Sequence, residues 1–83
     1  MGLTTTHMVQ TFKIVRKRLV PGDREVAPTA SGALKKAEAM AGRLPGTAAL
    51  TIVADDETGE VESATILGQW GEVPEDFADS LRG

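Results

Sequence analysis

The chain has 83 residues, a net charge of −3, a pI near 5.0 and no cysteine. That length suits one folded unit, and the lack of thiols excludes disulfides, cysteine catalysis and zinc ribbons. No apolar run approaches the roughly 20 residues of a membrane span, and no signal-peptide pattern opens the chain, so a cytoplasmic protein without a membrane partner is expected.

Residues 1–9 are expected to form a disordered tail. Met1 to Thr6 satisfies the short myristoylation pattern, which chance often meets. His7-Met8 matches the dipeptide left by a common cloning site at a start codon, which makes residues 1–7 a candidate expression scar. The remainder, 10–83, is expected to be a single α+β domain.

Residues 10–20 (QTFKIVRKRLV) mix β-branched and aromatic residues with charges at nearly every second position, the pattern of a strand. Pro21-Gly22-Asp23 then reads as a turn, with 24–27 returning as a short second strand. Over 29–44, Leu34, Ala37, Ala41 and Leu44 recur at helical spacing, flanked by Ala33 and Met40. Thr29 or Ser31 is placed to cap that helix and Pro45-Gly46 to stop it. Residues 47–55 and 61–70 form two matched strands around the turn Asp56-Glu57-Thr58-Gly59. Pro74 to Phe77 suggests a short C-terminal helical tail with Phe77 and Leu81 on one face.

The order β-(short β)-α-β-β implies one long helix packed on a small, mainly antiparallel sheet. Its expected core is Phe12, Ile14, Leu50, Ile52 and Ile66 beneath the helix stripe. Val15, Leu19, Ala49, Val53 and Leu67 lie out of phase with that set, which makes the second face mildly apolar and in need of cover. The candidate interface is accordingly Val15, Leu19, Val53, Leu67, Trp70 and Phe77.

Charge divides sharply along the chain. Residues 1–44 carry a net +5 and residues 45–83 a net −8. Opposite charges on neighbouring strands favour a register, so the last strand is expected between the first strand and its hairpin partner, with Glu60 and Glu62 across from Arg16, Lys17 or Arg18. Lys35, Lys36 and Arg43 on the helix, and the acids from Glu72 to Asp79, are then left to meet across a subunit boundary. As an alternative, Lys13, Arg16, Lys17, Arg18, Lys35, Lys36 and Arg43 form a basic surface for nucleic acid.

Catalytic chemistry finds few candidates. His7 is the one histidine, a hydrolytic triad needs a base beside its nucleophile, and the glycines at 42 and 46 follow a helix where a phosphate loop precedes one. The acidic turn 55–60 lacks the ligand spacing of a calcium loop. No enzyme, cofactor or metal is expected. The expected function is a small non-enzymatic protein-interaction module that self-associates as a homodimer through a sheet face or edge, with nucleic-acid binding as the alternative.

Overall fold

The structure, a computed structural model, describes residues 2–77. Four strands, β1 (Leu3–Val15), β2 (Arg18–Ala27), β3 (Gly46–Asp55) and β4 (Val61–Gly71), form one antiparallel sheet with the helix α1 (Ala30–Ala41) on one face. The α+β class and the antiparallel sheet agree with the sequence reading. The strand order does not: it is β2-β1-β3-β4. β1 and β2 form a hairpin, and α1 carries the chain back to set β3 on the other side of β1. β4 then takes the outer edge, so Glu60 and Glu62 never face Arg16, Lys17 or Arg18.

Three boundaries also shift. Residues 3–9, expected as a disordered tail, belong to β1 and pair with β3 from Leu3↔Asp55 onward. Backbone pairing on β3 recruits them even though their threonine-rich sequence offers little apolar periodicity. The first hairpin turns at Arg16-Lys17 and not at Pro21-Gly22-Asp23. Arg16 (φ 53°) and Lys17 (φ 66°) both adopt the left-handed conformation, as a two-residue type I′ connection requires for its twist to match the strands. Pro21 lies inside β2, an edge strand, where a missing amide is tolerated.

The second strand is therefore ten residues long, not four. Gln10 pairs with Arg24 and Phe12 with Pro21, so β2 carries an extra residue there. Side chains brace this bulge. The buried Gln10 amide donates to the carbonyls of Gly22 (3.2 Å) and Asp23 (3.3 Å), and its oxygen accepts from Arg24 Nε at 2.8 Å. Thr11 Oγ1 also donates to the Asp23 carbonyl, at 3.0 Å.

The helix begins where expected, with Thr29 Oγ1 accepting from the Gly32 amide at 2.9 Å, but Gly42 caps it before Pro45. Its buried residues are Ala33 and Ala37. They sit on Val9, Ala27 and Ala49, with Leu34, Met40, Leu67 and Trp70 around the rim. This corrects the expected core, because Phe12 and Leu50 point to the opposite face. There they join Met8, Ala48 and Phe77, with Leu19, Ile52, Ala64, Ile66 and Val73 packed alongside. An alanine stripe brings a helix close only to a floor of small side chains, which the Val9–Ala49 face provides and the Phe12–Leu50 face does not.

Phe77 closes on Phe12 edge to face, with ring centroids 5.0 Å apart. The rest of the expected helical tail, including Leu81, lies outside the described residues. At the same end Gly46 pairs with Gly71, and a Cβ on Gly46 would run into the Glu72 backbone carbonyl. Gly46→Ala is expected to cost about 2–4 kcal/mol in urea unfolding. A loss within about 0.5 kcal/mol contradicts this packing.

Candidate interaction surface

β1 is the longest strand, and thirteen extended residues span about 40 Å, close to the molecule's greatest dimension of 42 Å. At its C-terminal end, the β1–β2 hairpin projects Lys13, Arg16, Lys17 and Arg18, all exposed. At its N-terminal end, Leu3 pairs with Asp55, beside the turn to β4. That turn holds the exposed acids Asp56, Glu57 and Glu60, with Glu62 next to it in β4. The two charge sets occupy opposite ends of the sheet. Glu72, Glu75 and Asp76, also exposed, follow Gly71 on the Phe12 row and lead to Phe77 on Phe12, so these acids lie on the β4 side of the end that carries the basic hairpin.

Local hydrogen bonds build the acidic turn. Asp55 Oδ1 accepts from the amides of Glu57 (2.8 Å) and Thr58 (3.1 Å), while the Gly59 amide donates to the Asp55 carbonyl at 2.8 Å. Gly59 takes φ 75°, the left-handed conformation that suits glycine. The Asp56 amide donates to the Gly2 carbonyl at 3.0 Å, tying the turn to the start of β1. The amides of Thr58 and then Glu57 stabilise the Asp55 carboxylate, holding its pKa below the ordinary value against a smaller opposing effect of desolvation.

Among the described residues four large hydrophobic side chains are exposed: Leu3 (62%), Ile14 (52%), Val15 (44%) and Val26 (70%). Three stand at the ends of β1, Leu3 beside the acidic turn and Ile14 and Val15 beside the basic one. Ile14, expected in the core, is instead exposed, two residues beyond Phe12 on β1. Leu3 lies in the segment expected as a tail and instead pairs with Asp55. The sequence held no direct signal for either, since exposure here follows from how far β1 outruns its neighbours.

The six expected interface residues do not form one surface. Leu67 and Trp70 pack under the helix, and Phe77 is buried on the opposite face. Leu19 lines the Phe12 cluster, Val53 is half-buried toward the acidic end, and Val15 is exposed at the basic end. The basic residues divide as well. Lys35, Lys36 and Arg43 lie on the exposed side of the helix and its exit, and Lys36 pairs with Glu25 at 2.7 Å.

His7 meets Thr51 Oγ1 at 2.9 Å, a contact between adjacent strands. Among the described residues there is no pocket, no group of side chains suited to a metal ion, and no helix long and apolar enough to cross a membrane. No family model, curated protein or solved structure matches the chain.

The depressed Asp55 pKa has a definite sign. Its stabilisation is complete above the unfolded-state pKa and is lost as pH falls through the lower folded-state value. Thermal melts between about pH 5 and pH 2 should show a shallower acid decline for Asp55→Ala than for the wild type. Parallel declines contradict the assignment.

Proposed function

We propose that the chain is a non-enzymatic interaction module that self-associates through the ends of its sheet. The supporting observation is that Leu3, Ile14 and Val15 are exposed beside charges of opposite sign at the two ends of β1. Apolar groups exposed next to charges of one sign are the usual ingredients of a contact in which burial supplies affinity and charge supplies partner choice. The middle of the second sheet face is a weaker candidate. Met8, Phe12, Leu50 and Phe77 are each no more than 9% exposed, so little apolar surface remains there to bury.

Nucleic-acid binding has the basic hairpin in its favour. Against it, Phe12 and Trp70, the rings on which bases would stack, are committed to the two cores. The net charge of −3 disfavours it further.

Sedimentation velocity across a concentration series tests self-association. The sedimentation coefficient is expected to rise with concentration in dilute buffer and to fall back at about 0.5 M salt, where exposed charge pairs are screened. A single monomer species at high micromolar concentration contradicts the reading.

A further inference from the structure

The ends of the sheet are stepped in opposite senses. β2 stops at Ala27, the partner of His7, so Leu3–Thr6 pair with β3 on one side and have no strand on the other among the described residues. β3 begins at Gly46, the partner of Phe12, so among the described residues Lys13–Val15 pair with β2 alone. Each end therefore presents a short free edge of β1, on opposite sides. The basic hairpin is a tongue, and the position beside Leu3–Thr6 is an open seat in the plane of the sheet.

Charge selects which ends can meet. Two basic tongues repel one another, as do two acidic turns, whereas a tongue seated beside Leu3–Thr6 enters the end of the sheet that carries Asp55, Asp56 and Glu60. Apolar contact agrees with this choice. Leu3 and Val15 are an even number of residues apart on β1 and share a face of the sheet, so both exposed side chains lie on the same side of such a joint.

The turn itself adds a third observation. Left-handed positions in a type I′ turn suit Asn-Gly, yet Arg16 and Lys17 hold them at φ 53° and 66°. Strained backbone of this kind is characteristic of functional positions. Here it sets two long cations at the outermost point of the tongue.

Building on self-association, we propose that the basic hairpin of one copy (Lys13–Arg18) docks beside Leu3–Thr6 and the acidic turn of a second copy. The contact is heterologous, because the surface used on one copy differs from that used on the next. It leaves a free tongue and a free seat on every dimer, so association proceeds head to tail beyond two copies unless a ring closes.

The experiment compares the full chain with Arg16→Glu/Lys17→Glu and Asp56→Lys/Glu60→Lys by sedimentation velocity at low salt, with far-UV circular dichroism confirming each fold. Arg16→Asn/Lys17→Gly removes the cations with residues that suit the turn, and is expected to melt no lower than the wild type. Each of the three variants alone should associate at least about tenfold more weakly than the wild type. An equimolar mixture of the two charge variants, in which the unaltered basic hairpin of one meets the unaltered acidic turn of the other, should recover association. Unchanged association in the variants overturns the docking but leaves self-association standing, as does loss in each variant without recovery in the mixture. A wild type that remains monomeric overturns both. Capture of mixed-sequence DNA or RNA by a monomeric wild type, lost in Arg16→Glu/Lys17→Glu, makes nucleic acid the occupant of the basic hairpin and also overturns the proposal.

Discussion

Everything in this fold hangs on β1 being paired along both edges by strands that do not cover the same part of it. β2 accompanies β1 from His7 to Val15, and β3 accompanies it from Leu3 to Phe12. Only the central rows have strands on both sides. The uncovered rows at either end form the steps, and the turns of the two hairpins fall next to those steps. A basic hairpin and an acidic one are thus held apart by the full length of a strand.

The helix fixes that arrangement by the size of its side chains. Ala33 and Ala37 allow α1 to lie close on Val9, Ala27 and Ala49, while Gly68 leaves room for Leu34, whose Cδ2 would stand 3.0 Å from an added Cβ. Thr47 Oγ1 donates to the Ala37 carbonyl at 2.7 Å, pinning the helix to the start of β3. A buried hydrogen bond of this kind contributes about 1 kcal/mol net, and losing one partner costs more than that mean. The bulky residues are consigned to the other face. There Phe12 and Leu50 are closed in together with Phe77, and the chain has two thin cores on either side of one sheet.

Much of this was legible in the sequence, and the failures share a cause. Hydrophobic periodicity located the helix, the third and fourth strands and the turn at Gly59, because each is specified by residues close to it in the chain. Which face carries the helix was not legible from alternation, since both faces of β1 and β3 are apolar. The decisive clue was volume, small Ala33 and Ala37 against small Ala27 and Ala49, and alternation does not weigh volume. The first turn was misplaced because Pro21-Gly22-Asp23 is the stronger local turn signal, whereas Arg16-Lys17 is chosen by the register of the whole hairpin. The strand order was misjudged because opposite charges suggested neighbouring strands. In the fold those charges are separated, and the candidate surface changes accordingly from a sheet face to the ends of the sheet.

The separation of the charged hairpins is measurable because these 83 residues include no cysteine to interfere with labelling. Spin labels at Lys17→Cys and Thr58→Cys, in protein diluted with unlabelled chain, report the distance between the two turns within one molecule. With β1 between them, the distance is expected near about 40 Å. A distance under about 20 Å, a few strands' width, would place the acidic strand alongside the basic one and contradict the account.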